Sequence, residues 1–190
     1  MESEITSICL MTIFISFLGF LTENIWLALT KGYIDNRNMH LPFLLGYGIM
    51  VLLIYSLFGT PENKPLYFLA CCILVNLGEI ALGSLTEKIC HFEWWNYLRL
   101  PLHITKYTSI PTTILFAAII TGFMDSVFLP LWDFFCGIAN HETSVVAVIL
   151  IAAITIDTLH SFVTMYHKHG LEQIWRINLS PSPVISFFIK

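Results

Sequence analysis

Residues 5–29 read ITSICLMTIFISFLGFLTENIWLAL, an apolar run whose main interruption is the charged and amide pair Glu23 and Asn24. A helix of about 20 residues crosses the roughly 30 Å hydrocarbon core of a bilayer, so this run is long enough to span a membrane. An acidic segment precedes it, without the basic residues of a signal peptide, and the run continues past signal length. We therefore expect a transmembrane helix here rather than a cleaved leader.

Four more apolar runs follow, each bounded by polar or proline-containing segments. They place the other predicted spans at residues 43–59, 66–88, 108–124 and 144–166, of which the first is only just long enough. Residues 127–135 are rich in aromatic side chains, which is typical of a membrane interface. The prediction is one transmembrane domain over residues 1–170, followed by a membrane-surface tail over residues 171–190.

The composition indicates the same class of protein. Of 190 residues, 56% are apolar and only 12% are charged, with a mean hydropathy of +0.76. A soluble domain carries about 25% charged residues, so this chain has too few to cover a surface in water. The sequence predicts an all-α membrane protein, a polytopic bundle of about five transmembrane helices surrounded by lipid. No basic stretch indicates binding to nucleic acid.

The orientation follows from the nine lysines and arginines. With the N-terminus outside, Lys64 alone lies in an external loop, and the other eight lie in segments on the cytoplasmic side. Cytoplasmic loops of membrane proteins carry an excess of Lys and Arg. We therefore predict a multi-pass protein of the cell membrane, with its N-terminus outside and its C-terminus in the cytoplasm.

Carboxylates occur inside the predicted spans. Glu23, Glu79 and Asp157 lie within apolar runs, and Glu87 lies near the inner end of the third. A charge at the centre of a span costs ~2.5–3.5 kcal/mol on insertion scales, so each needs a partner, water or a proton. On the third helix, Asn76, Glu79 and Glu87 share one face.

Two interpretations of these groups stay open. The first is a polar cavity, open to the cytoplasmic side, that binds a substrate or protons. The second is that the carboxylates only hold helices together, by pairing with Arg37, Arg99 or Lys106. The candidate substrate-binding residues are Glu23, Asn24, Asn36, Arg37, Asn76, Glu79, Glu87 and Asp157. Whether a metal binds is left open, and no cofactor is predicted.

A short internal repeat links the first and third helices. Residues 19–25 read GFLTENI and residues 83–89 read GSLTEKI, so five of seven positions are identical. Each copy ends a span that runs inward, and each precedes a loop with an arginine and a Leu-Pro pair. This pattern predicts a parallel repeat, in which the first two helices match the third and fourth.

Several of these motifs resemble one family of bacterial membrane proteins, the ABC-transporter type IV family. They are Phe17-Leu18-Gly19-Phe20, Glu23-Asn24, the 33–37 loop, Leu41-Pro42-Phe43, Gly46-Tyr47-Gly48, Glu79, Leu85 to Glu87, Trp94-Trp95-Asn96-Tyr97, and Asp157 with Ser161. The resemblance covers roughly residues 12–165. In this chain, Asn96 stands where the family usually has an acid, Leu98 replaces a serine, and Lys106-Tyr107 replaces the frequent Gly-Arg.

The resemblance implies a permease component. The chain has no G-x-x-x-x-G-K-[ST] loop, so ATP-driven action would need a separate ATPase subunit. One alternative is a membrane-embedded enzyme acting on a lipid headgroup, and another is a non-catalytic membrane partner subunit. No nucleophile–base pair or catalytic motif is visible, which places the enzyme below the permease. A homo-oligomer stays open.

Overall fold

The apolar runs form helices in a computed structural model that describes residues 2–179, and 71% of these residues are helical. The elements in chain order are α1 (Glu2–Lys31), β1 (Tyr33–Asp35), α2 (Leu45–Phe58), α3 (Lys64–Cys90), α4 (Ile110–Ser126), α5 (Phe128–Ile138), α6 (His141–Lys168) and β2 (Arg176–Asn178). The predicted all-α membrane fold class is confirmed.

Local sequence signals begin three of these helices. The side chains of Asn63, Ser109 and Asn140 accept hydrogen bonds from backbone amides in the first turns of α3, α4 and α6. Pro65 and Pro111 occupy the first turns of α3 and α4, where a missing N–H group leaves no hydrogen bond unmade. The polar segments between the apolar runs therefore act as helix starts.

The lengths of the helices define how many of them can cross a bilayer. Among the described residues, α1, α3 and α6 are each long and apolar enough. The pair α4 and α5 passes the same test as one unit, although it is bent by 54°. With 14 residues, α2 is about 21 Å long, which is shorter than the hydrocarbon core. The predicted domain boundaries and the fifth span therefore stay predictions.

The distribution of side chains is the reverse of that in a water-soluble protein. Large apolar residues such as Ile149 and Ile156 on α6 are more than 60% exposed, whereas Thr12 and Ser16 on α1 are buried. Their hydroxyls bond to backbone carbonyls one turn earlier, so that α1 can bury them without unpaired groups. This arrangement fits a chain whose outer surface faces lipid.

The packing centres on α1, which contacts α2, α5 and α6. The side chain of Phe128, at the bend between α4 and α5, is fully buried in the main apolar core. That core also contains Met11, Ile15, Val51, Ile54, Tyr67, Cys71, Ala117, Met124 and Phe135. The bent pair therefore packs its apolar aromatic side chains into the bundle.

Three connecting segments gather at one end of the bundle, which we call the loop end: residues 32–44, 91–109 and 169–179. There β2 pairs antiparallel with β1, with Ile177 opposite Ile34. The guanidinium of Arg176 stacks 3.7 Å from the ring centroid of Tyr33. The predicted surface tail is therefore paired with the first loop over this stretch, and its residues 180–190 lie outside the described part of the chain.

Candidate functional site

The loop end carries a partly buried polar group that we call the inner cluster: Glu23, Arg37, Tyr47, Glu79 and Tyr97. Three helices contribute to it, because Glu23 lies on α1, Tyr47 on α2 and Glu79 on α3. The two loops supply Arg37 and Tyr97. Three helices and two loops thus converge around two carboxylates.

Glu23 is held by two partners. The hydroxyl of Tyr47 donates a hydrogen bond to Oε1 of Glu23 at 2.5 Å, and Nη2 of Arg37 lies 3.4 Å from Oε2. Arg37 is itself placed by a tight turn with φ of +49°, in which its backbone N–H donates to Asp35 Oδ1 at 2.9 Å. A positive φ is uncommon for a residue with a side chain, so the turn must be stabilised by its surroundings. Arg37 therefore pairs with Glu23 in the fold, and its role in binding a substrate stays a prediction.

Glu79 is less completely paired than Glu23. Its Oε2 atom is buried without a hydrogen-bond partner among the described residues, and so is Nε of Arg37. A buried polar atom without a partner costs roughly 1–3 kcal/mol, and native structures keep few of them. Arg37 lies 3.4 Å from Glu23 and 4.0 Å from Asp35, and Glu79 lies close to Glu23, so the acidic side chains here outnumber the one guanidinium.

Tyr97 closes the cluster from the second loop. Burial raises the pKa of its phenol, the nearby carboxylates of Glu79 and Glu23 raise the pKa further, and Arg37 opposes them. The phenol therefore stays protonated and can donate a hydrogen bond to an anionic group. Its motif, Trp94-Trp95-Asn96-Tyr97, entered the sequence analysis only through the family resemblance, because aromatic residues in a loop beside a span are usually interfacial anchors.

Glu87 lies in a second group nearer to water, the outer cluster: Glu87, Glu93, Lys106 and Tyr107. Nζ of Lys106 lies 2.5 Å from Glu87 and 3.0 Å from Glu93, and the hydroxyl of Tyr107 donates to Glu87. Hydrogen bonds from Asn96 and Lys106 lower the pKa of Glu93, whereas the hydrogen bonds that Lys106 donates to Glu87 and Glu93 raise the pKa of Lys106. At neutral pH this cluster is therefore a set of paired charges.

Asn76 has hydrogen-bond partners within the protein. Its Oδ1 accepts hydrogen bonds from the hydroxyls of Thr108 and Thr113, and its amide donates to the carbonyl of Cys72 at 2.9 Å. The three groups link α3 to the start of α4. Asn76 lies on the same helix as Glu79, but it has its partners already.

The remaining predicted residues belong to a third network, which we call the brace: Asn24, Asn36 and Asp157, joined by Asn38. Asn24 Oδ1 accepts from the N–H of Asp35 at 2.9 Å. Asn36 donates to the carbonyls of Met39 and Glu172 and accepts from the N–H of Ile174, and it is 1% exposed. These two amides hold the first loop against α1 and the chain after α6.

Asp157 completes the brace from α6. Its two oxygens accept from the backbone N–H groups of His40 and Leu41 at 2.8–3.1 Å, and Nδ1 of His40 lies 3.0 Å away. Asn38 donates to Ser161 Oγ at 2.5 Å and accepts from the N–H of Glu172. Because these groups are fully engaged, the structure brings Asn24, Asn36 and Asp157 into the loop end but not into the inner cluster.

No group of three or more His, Cys, Asp and Glu side chains within residues 2–179 is arranged to hold a metal ion. The polar residues that sequence reasoning missed are Tyr47, Tyr97 and Tyr107. A signal for two of them was available, since Gly19-Glu23 and Gly83-Glu87 repeat with the same spacing, and each glycine leaves space for a ring.

The apolar helices, the buried hydroxyls and the inner cluster define an all-α integral membrane protein with a polar interior at one end. The chain belongs to the family described as Putative ABC-transporter type IV, whose model matches residues 10–162. The predicted resemblance is therefore confirmed. Comparisons with curated proteins and with solved structures find no match.

Proposed function

We propose that the chain is a membrane transport component that binds its substrate at the inner cluster, reached from the cytoplasmic side through the loop end. Family membership and the long apolar helices support a membrane-transport-related role. The observation that carries the finer proposal is the buried, unpaired Oε2 of Glu79, in a cluster where acidic side chains outnumber the one guanidinium.

The chemistry of the cluster indicates the class of substrate. Glu23 and Glu79 would hold a cationic group or a proton, which removes the excess negative charge. The unpaired Nε of Arg37 and the phenol of Tyr97 would hold an anionic group. A small zwitterion satisfies both requirements, and a bidentate guanidinium is well suited to its carboxylate.

A thermal-shift experiment on the purified full-length protein in detergent tests this proposal. The probes are tetramethylammonium, acetate and glycine betaine, which carry the cation, the anion and both. We expect glycine betaine to raise the Tm most, in wild type and in Glu62→Gln, an exposed control outside the cluster. Glu79→Gln should lose most of this response. A wild type that none of the probes stabilises, or an equal response from Glu79→Gln, would overturn the proposal.

The cytoplasmic opening is tested separately by labelling. Leu98 is 53% exposed at the loop end, and Glu62 is exposed in the turn before α3, so each can carry a single cysteine after the five native ones are replaced. An impermeant thiol reagent on intact cells should label position 62 and leave position 98 unlabelled until the membrane is opened. The reverse pattern would invert the proposed orientation.

A separate ATPase subunit is part of the proposal, because the chain itself has no phosphate-binding loop. Affinity purification from the native membrane should recover a protein with that loop. Recovery of the chain alone, in a form that still takes up substrate without ATP, would show that another energy source is used.

A further inference from the structure

Two tyrosines rest on glycines at equivalent positions of α1 and α3. A methyl group added to Gly19 would overlap the ring of Tyr47, and one added to Gly83 would overlap the ring of Tyr107. By contrast, a methyl group at Gly46 would meet nothing within 4 Å. The two glycines are therefore sites of close contact with a ring, and both belong to the repeated heptapeptide.

Each tyrosine then reaches the glutamate one helical turn after its glycine. Tyr47 donates its hydroxyl to Glu23, and Tyr107 donates its hydroxyl to Glu87. Residues four apart lie on the same helix face, which explains why one ring can cover the glycine and contact the glutamate. The sequence repeat is thus accompanied by a repeat of contacts.

Two further features recur. Each glutamate has a loop cation, Arg37 at 3.4 Å from Glu23 and Lys106 at 2.5 Å from Glu87; the match is one of charge and contact, since Lys106 directly precedes its tyrosine and Arg37 lies ten residues before its own. The preceding threonines, Thr22 and Thr86, both donate to the carbonyl four residues earlier.

The residue after each tyrosine also approaches the same helix position. Gly48 is in close contact with Thr12, and Thr108 bonds to Asn76, where Thr12 and Asn76 each lie seven residues before the repeated glycine. A chance match of seven residues would not predict these contacts across separate helices and loops.

The two units differ in their access to water. The side chains of Glu23 and Arg37 are 23% and 12% exposed, whereas those of Glu87 and Lys106 are 35% and 31% exposed. The first unit is the more buried copy and the second is the more open one.

We propose that Glu87, Tyr107 and Lys106 form a second half-site, the tandem counterpart of Glu23, Tyr47 and Arg37, in which both tyrosines are positioning residues. Each ring, resting on its glycine, directs its hydroxyl to the carboxylate and holds that carboxylate beside its cation. The part of this inference that concerns substrate rests on the proposed function, whereas the equivalence of the two units does not.

Double-mutant cycles on the full-length protein test the equivalence without any substrate. In the pairs Tyr47→Phe with Glu23→Gln and Tyr107→Phe with Glu87→Gln, the loss of Tm in the double variant should be clearly smaller than the sum of the single losses. The mixed pair, Tyr47→Phe with Glu87→Gln, is the matched control and should be additive. Additive behaviour of the Tyr107 and Glu87 pair would overturn the second half-site.

The positioning role is tested by the glycine betaine concentration at half-maximal thermal shift. Tyr107→Phe keeps the ring and removes the hydroxyl, whereas Gly83→Ala keeps the hydroxyl and displaces the ring. Both should raise this midpoint several-fold, as should Tyr47→Phe and Gly19→Ala, and the control Gly46→Ala should leave it unchanged. If Tyr107→Phe keeps the wild-type midpoint for glycine betaine, the hydroxyl of Tyr107 has no positioning role and the ring only packs against Gly83. If none of the probes binds, the proposed function fails. The double-mutant cycles then test by themselves whether the two units are equivalent.

Discussion

The brace and the inner cluster lie side by side at the loop end, yet they differ in how completely their polar atoms are paired. Asn36 and Asp157 have partners for their amide and carboxylate atoms, and these partners come from segments far apart in sequence. Glu79 and Arg37 each keep one buried atom without a partner. A fully satisfied network specifies a structure, whereas an incomplete one can still accept a ligand.

The largest change in stability should come from a substitution in the brace. Asp157→Asn replaces one acceptor oxygen with a donor and removes the charge that three N–H groups face. We expect the free energy of unfolding to fall by roughly 3–4 kcal/mol, the range for breaking a buried network of charge-assisted bonds. Denaturation in detergent measures it, with the exposed Asp133→Asn as control. A loss no greater than that of the control would mean that the brace is not structural.

A smaller loss in the free energy of unfolding is expected from Arg37→Met, because this change leaves Glu23 without its cation. Removing one partner of a fully buried pair costs ~3–5 kcal/mol, and the partial exposure of Glu23 reduces this to roughly 1–3 kcal/mol. The double variant Arg37→Met with Glu23→Gln should recover much of the loss, because no stranded charge remains. The prediction is contradicted if the double variant loses as much free energy of unfolding as the two single variants lose together.

Glu79→Gln should hardly change stability. The Oε2 atom has no partner to lose, so the change in the free energy of unfolding should stay within about 0.5 kcal/mol, and the protein should accumulate normally in the membrane. The same denaturation measurement checks it. A loss comparable with that of Asp157→Asn would instead assign Glu79 to helix packing, the alternative that the sequence left open.

The smallest effect concerns pH at the chain after α6. A hydrogen bond from Lys168, at 2.5 Å, lowers the pKa of Glu172 from its ordinary value of 4.5. A carboxyl whose pKa is lower in the folded state adds stability above the ordinary pKa, and this contribution is lost as the pH falls through the folded pKa. Wild type should therefore lose slightly more Tm below pH 4.5 than Glu172→Gln does, by roughly a degree, since the pair is exposed. Identical acid profiles would show that the pair contributes nothing.

The sequence predicted what depends on hydrophobic length and missed what depends on long-range contact. The run that begins at Ile5 and the run that ends at Tyr166 were recognisable, since a continuous apolar stretch has few alternatives to a helix. The pairing of Tyr33–Asp35 with Arg176–Asn178 was not, because three-residue strands carry no periodic signal. The bend at Val127 was also missed, and the aromatic segment that follows was interpreted as interfacial.

The site shows the same division. Glu23, Arg37 and Glu79 were identifiable because charged residues are costly in or beside apolar spans. Asn24, Asn36 and Asp157 were candidates as well, and their role in binding stays a prediction; only the fold shows which hydrogen-bond partners they have. Tyr47 and Tyr97 could not be distinguished from anchoring aromatics without knowing which helix each one faces.

The pairing of the first loop with the chain after α6 has a consequence for synthesis on the ribosome. Asn36 bonds to the N–H of Ile174, which lies 138 residues later. At 5–20 residues per second, roughly 7–28 s separate the synthesis of the two partners. During that interval α1 and α2 can insert, but the amide oxygen of Asn36 has only water or provisional partners. The native arrangement of the loop end is therefore a late event in biogenesis, completed after the last long helix has been made.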